Sequence, residues 1–120
     1  MPSYDKLKER FISACQMRHN VDYGNKASVQ EYNKGMNICR KVMQQIDTQH
    51  PEQLEDFLRL LNHPDAEIRY MCAFCSLEVA HLSNEQEHHA LEKVAEYFDT
   101  RFSPMTMAEW YAKWNTSKRR

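Results

Sequence analysis

Apolar residues recur three and four positions apart along almost the whole chain, and the pattern divides into six helical stretches. In the first, from Tyr4 to about Arg18, the residues Tyr4, Leu7, Phe11, Cys15 and Arg18 share one face behind Ser3, whose hydroxyl suits an N-cap. Asn20 to Ala27, with Gly24 inside it, reads as a loop. The second stretch is the most regular: Val29, Tyr32, Met36, Cys39, Met43 and Ile46 form one stripe, with Ser28 as the expected cap. Gly35 within it costs about 1 kcal/mol relative to Ala, so a close-packed neighbour is expected there.

A third helix is expected to start at Pro51, where the missing amide does no harm in a first turn, and to carry Leu54, Phe57, Leu58 and Leu61 inward. Asn62-His63-Pro64-Asp65 ends it, and Asp65 caps a fourth helix with Ile68, Met71, Cys72, Cys75 and Val79 facing the core. Ala73, Phe74 and Leu77 make this helix apolar on nearly every side, so it should be the most buried. Ser83 with Gln86 forms a capping box for a fifth helix whose inward positions are Leu91, Val94, Ala95 and Phe98. After a loop containing Pro104, Thr106 with Glu109 opens a short sixth helix bearing Trp110, Tyr111 and Trp114, with residues 116–120 as a disordered basic tail.

Composition agrees with this reading. Two glycines and four prolines leave little material for hairpins, so the fold class is all-α: a compact α-α superhelix or bundle of about six helices. One domain over residues 1–120 follows, since a chain of this length buries roughly two-thirds of its unfolded surface around one core. No run reaches the roughly 18 apolar residues of a membrane span, and Met1-Pro2-Ser3-Tyr4 lacks the apolar centre of a signal peptide, so a cytoplasmic protein without a membrane partner is expected. Cys15, Cys39, Cys72 and Cys75 fall on helical stripes and are expected as reduced core residues, with disulfides the arithmetical alternative.

From Leu54 through Phe57, Leu58, Leu61, Pro64, Asp65, Ile68, Arg69, Cys72 and Ala73 to Leu77, the chain resembles one HEAT repeat of the armadillo-type helical class. In that class a Leu-rich helix meets a Pro-Asp turn, and an aliphatic-Arg pair opens an inner helix of small residues. The resemblance implies one well-formed HEAT-like unit over about residues 51–82, closed by flanking helices. Arg69 is expected to brace the repeat by bonding a carboxylate or carbonyl across helices, with Asp65 and Asp56 as candidate partners. The chain, including its Met105-Thr106-Met107-Ala108-Glu109-Trp110 ending, also resembles a small bacterial domain-of-unknown-function family (number two thousand and nineteen), whose members have no established activity.

Charge is the feature that bears on function. Between Pro51 and Thr100, eleven carboxylates face three basic side chains, a net of −8 within a chain whose total is −1. Such a segment complements a basic partner rather than a phosphate backbone. Cys72-Ala73-Phe74-Cys75 has redox and zinc precedents, but it sits within an apolar helix without two further ligands, so core packing is expected. His88 and His89 are adjacent and point about 100° apart, whereas a helical two-His site needs a spacing of three or four. No metal, cofactor or catalytic constellation is therefore expected, and the chain is read as a non-enzyme.

The expected partner-binding residues are Glu52, Glu55, Asp56, Glu85, Glu87, Glu92 and Glu96 on acidic helix faces, with Glu92 and Glu96 presented together, and the aromatic Tyr111 and Trp114. For each, a solvated face or a packed terminal helix is the plainer alternative. The functional expectation is a protein-binding module, an immunity-type inhibitor covering a basic toxin domain. A homo-oligomeric adaptor is the first alternative. A HEAT-like nucleic-acid binder is the second, drawing on Arg10, Arg18, Arg40, Lys41, Arg101 and the tail.

Overall fold

A computed structural model describes residues 2–16, 24–100 and 105–118. All regular structure among them is helical: α1 (Tyr4–Gln16), α2 (Lys26–Gln49), α3 (Leu54–Phe57), α4 (Ala66–Val79), α5 (Asn84–Thr100) and α6 (Met107–Lys118), with 3₁₀ turns at Pro51–Gln53 and Leu58–Asn62. The expected end of the first helix at Arg18 lies outside the described residues. α6 is helical through Lys118, where the sequence reading places a disordered tail from residue 116.

Local chemistry accounts for the helix starts. Ser3 begins α1, its hydroxyl accepting from the Lys6 amide at 3.3 Å. Asn25, not Ser28, caps α2: its Oδ1 accepts from the amides of Ala27 and Ser28 at 2.9 and 3.3 Å. Both residue types are good caps three positions apart, and the earlier one wins by adding a turn to the helix. Asp65 caps α4 as expected, its Oδ1 accepting from Glu67 and Ile68. The capping box of α5 is complete, because Gln86 donates to the Ser83 hydroxyl while the Gln86 side chain accepts from the Ser83 amide. At α6, Thr106 Oγ1 accepts from the Glu109 amide at 3.2 Å.

The third expected helix is the one that changes character. Only Leu54–Phe57 is α-helical, between the two 3₁₀ turns. Leu54, Phe57, Leu58, Leu60 and Leu61 are all buried, and the tighter turn lets a five-residue stretch point three leucines into the core.

α4 lies at the centre, packed against α1, α2, α5 and α6. Eight of its residues are buried, including Cys72, Ala73, Cys75 and Ser76. Ser76 satisfies its hydroxyl on the Ala73 carbonyl at 3.0 Å. Phe57 anchors the other side of the core, edge-on to Phe11 at 5.0 Å. In α5 the fully buried residues are Ala90 and Val94, whereas Leu91, Ala95 and Phe98 are half-buried. All four cysteines are free and buried, with Cys15 and Cys39 Sγ atoms 3.9 Å apart between α1 and α2. Burial, then the neighbouring Cys39 sulfur, pushes the Cys72 and Cys75 thiols well above their ordinary range.

Arg69 braces the turn before α4, but its carboxylate partner is Glu96 on α5 rather than Asp65 or Asp56. The guanidinium donates to the carbonyls of His63 and Pro64 and to Glu96 Oε1 at 3.1 Å. No helix among the described residues is long and apolar enough to cross a membrane.

Candidate functional site

The capping box that starts α5 sets the position of the acidic surface. Gln86, fixed by its bond to Ser83, donates through Nε2 to Glu55 Oε2 at 2.7 Å and so ties α5 to α3. Between the two elements runs a groove of about 290 Å³ that brings Glu55, Glu85 and Glu92 together over a floor containing Leu58 and Leu61. Among the described residues Arg59 is the one Lys or Arg in its lining, and that side chain is 83% exposed with an Asp56 oxygen 4.0 Å away. His88 meets Glu92 at 3.0 Å and His89 meets Asn62 at 3.3 Å, so both imidazoles sit on the rim. Carboxylates gathered over a low-dielectric floor concentrate negative potential where an incoming cation is partly desolvated.

The other expected residues separate from this group. Glu52 is exposed beside His50, 3.9 Å away. Asp56 accepts from the Tyr4 hydroxyl at 2.5 Å and lies 3.6 Å from Lys8. That hydrogen bond, then the charges of Lys8 and Arg59, hold its carboxyl below the ordinary range, while burial and the same bond push the Tyr4 phenol up.

Glu96 accepts from Arg69 and from the Tyr70 hydroxyl, both at 3.1 Å. Partial desolvation opposes ionisation most strongly, but the Tyr70 bond with Lys93 and Arg69 outweighs it and holds the carboxyl low. Glu92 therefore faces the groove while Glu96, one turn on, is turned to α4. Glu87 lines a different depression. Of the aromatic pair, Tyr111 is 43% exposed, but Trp114 is buried and donates from Nε1 to the Leu77 carbonyl at 2.7 Å.

Sequence reasoning did not find the pairing of Asp47 with His81. The Asp47 carboxylate is 4% exposed and takes the His81 amide at 3.0 Å and His81 Nδ1 at 2.7 Å. A carboxylate accepts only, so Nδ1 donates and Nε2 is left facing outward on an imidazole that is 94% exposed. The pair closes the loop after α4 at the edge of a groove of about 830 Å³, which Arg40, Glu87, Trp110 and Lys113 also line. The two residues stand 34 positions apart, and no local pattern links them. Among the described residues, no group of three or more His, Cys, Asp or Glu side chains is arranged to hold a metal ion.

Comparison with known protein families, curated proteins and solved structures finds no match to this chain.

Proposed function

We propose that this chain is a non-catalytic, cytoplasmic binding protein that receives a basic protein surface in the acidic groove between α3 and α5. The convergence of Glu55, Glu85 and Glu92 on one groove with a single Arg carries this reading. Their convergence selects three of the eleven carboxylates of the central segment, whereas Asp56 is turned to Tyr4 and Glu96 to Arg69, away from the groove. The role assigned is of immunity type: a HEAT-like helix pair presents the groove, and the groove covers the functional face of a basic toxin domain. Charge complementarity of this kind sets encounter rate and partner choice more than raw affinity.

The test is co-expression with the products of adjacent reading frames in the host genome. Wild-type chain should retain a basic neighbour at low salt and release it at about 0.5 M salt, where screening acts within a few Å. The variant carrying Glu55→Gln, Glu85→Gln and Glu92→Gln should fold equally well and lose the neighbour. Retention of a neighbour by that variant with unchanged salt dependence, or no basic neighbour retained by either, sinks the reading. Self-association is the second reading, favoured by the exposure of Tyr111 on α6. It predicts a dimer by light scattering that Tyr111→Ala dissolves.

A further inference from the structure

The long α2 helix carries a surface of the opposite character to the acidic groove. Its inner side packs Gly35, Cys39, Val42, Met43 and Ile46 into the core. On the other side the amides Gln30, Asn33, Asn37 and Gln44 are exposed, and so are Lys26, Lys34 and Lys41. At about 100° and 1.5 Å per residue, these side chains share a sector roughly 100° wide and about 27 Å long. Lys26 stands at its N-terminal end, Lys34 and Lys41 run along one edge, and the amides fill the rest. Both carboxylates of α2 are kept off this face: Asp47 is buried, and Glu31 lies about 60° beyond Lys34. Gln30, Asn33, Lys34, Asn37 and Lys41 line one depression with Ile38. Arg40 borders the sector on its other edge, where its Nε donates to Glu78 at 2.9 Å.

Helix stability gives no reason for these amides. Asn is a weak helix former, and at exposed positions, where packing does not decide, Ala, Glu or Lys suits a helix better. Yet Asn33 and Asn37 stand one turn apart in the middle of a 24-residue helix. A carboxamide presents a donor and an acceptor side by side, which is the pattern that pairs with the adenine edge in a DNA major groove. Ammonium groups beside such amides meet the phosphates that flank the groove. The sizes agree, since a helix with its side chains is about 10–12 Å across and the major groove about 12 Å wide. Duplex RNA has a major groove too deep and narrow to read in this way, and a membrane surface requires an apolar face that this sector lacks.

We propose that the exposed face of α2 docks in the major groove of duplex DNA, with Asn33 and Asn37 at base edges and Lys26, Lys34 and Lys41 on phosphates. The chain's net charge of −1 supplies no general attraction to DNA, so binding depends on this face. The surface is independent of the acidic groove and of the function proposed for it.

The probe is a fluorescently labelled random-sequence DNA duplex, titrated with the full chain and followed by anisotropy. Three phosphate contacts predict that affinity falls about 40-fold between roughly 50 and 200 mM salt. Lys26→Gln, Lys34→Gln and Lys41→Gln should each lower the salt slope by about one, and the triple variant should abolish binding. Selection of bound duplexes from the random pool should enrich adenine-containing sites. The pair Asn33→Ala and Asn37→Ala replaces weak helix formers with the best one, so it should melt no lower than wild type and yet lose that enrichment. Glu55→Gln, Glu85→Gln and Glu92→Gln together should leave the salt slope unchanged, which separates this face from the acidic groove. The inference is overturned if no duplex binds at about 50 mM salt, or if the triple lysine variant keeps the wild-type slope. It falls equally if the Asn variants keep the enrichment, or if duplex RNA or phosphatidylserine vesicles bind as tightly as DNA.

Discussion

Replacing Trp114 by Phe should cost this chain about 2 kcal/mol of stability. The indole is 8% exposed, and its Nε1 donates at 2.7 Å to the carbonyl of Leu77 in the last turn of α4. Carbonyls at a helix C-terminus have no intrahelical amide to accept from; the Ala80 amide serves Ser76, and the indole serves Leu77. Phe retains most of the apolar area and the stacking face toward Trp110, so the change isolates the donor. A hydrogen bond contributes about 0.5–1.5 kcal/mol net, and a buried acceptor left without a donor costs about 1–3 kcal/mol, which places the loss near 2. For 120 residues the unfolding entropy is about 0.25 kcal/mol/K, so the midpoint should fall by about 8 °C. Urea and thermal unfolding followed by helical circular dichroism measure both quantities. Tyr111→Ala on the same helix serves as the control and should change stability by less than about 0.5 kcal/mol. A Trp114→Phe loss within that same margin would refute the assignment, because it would mean that water reaches the Leu77 carbonyl as readily as the indole does.

Three further outcomes are expected. Asp65→Ala removes the acceptor for the Glu67 and Ile68 amides and should destabilise by about 1 kcal/mol in urea unfolding, whereas Asp65→Asn should restore most of it. Glu96 and Asp56 are held below their ordinary values, so in the acid range the unfolded chain binds more protons than the folded one and stability rises with pH. Their contribution is complete above the ordinary carboxylate range and is lost as pH falls through the folded values; Glu96→Gln should flatten the decline seen by denaturant unfolding below about pH 5. All four thiols should react with an aromatic disulfide reagent only as fast as the core opens, and at once in denaturant. Rapid labelling of Cys72 in folded protein would contradict the burial that pushes its thiol up.

Much of the helical framework is legible because its signals are local. Asp65 before Ile68, and Ser83 with Gln86, are starts whose donors and acceptors lie within three residues. α2 shows the limit of that logic: Asn25 and Ser28 are both competent caps three positions apart, and Asn25 is the one whose side chain accepts the first amides. The Pro51–Asn62 stretch shows another, since apolar residues three apart suit a 3₁₀ turn as well as an α-helix. For the candidate surface, composition marks the acidic segment but not which carboxylates are spent. Asp56 is taken by Tyr4, 52 positions away, and Glu96 by Arg69 and Tyr70, 27 and 26 positions away. Glu55 and Glu85 meet in one groove through Gln86, a residue read only as a cap.

The attachment of α1 also bears on how the chain is made. Beyond α2 it rests on Phe57, against Phe11, on Asp56, against Tyr4, and on α4. A ribosome delivers α1 and α2 before any of these exists, so the nascent segment carries the inner face of α1 uncovered until the Pro51–Asn62 turns and α4 emerge. A synthesis pause before that point prolongs the interval in which a chaperone or a second nascent chain can seize the apolar face of α1, and slow codons would be better tolerated after Val79 than before Phe57.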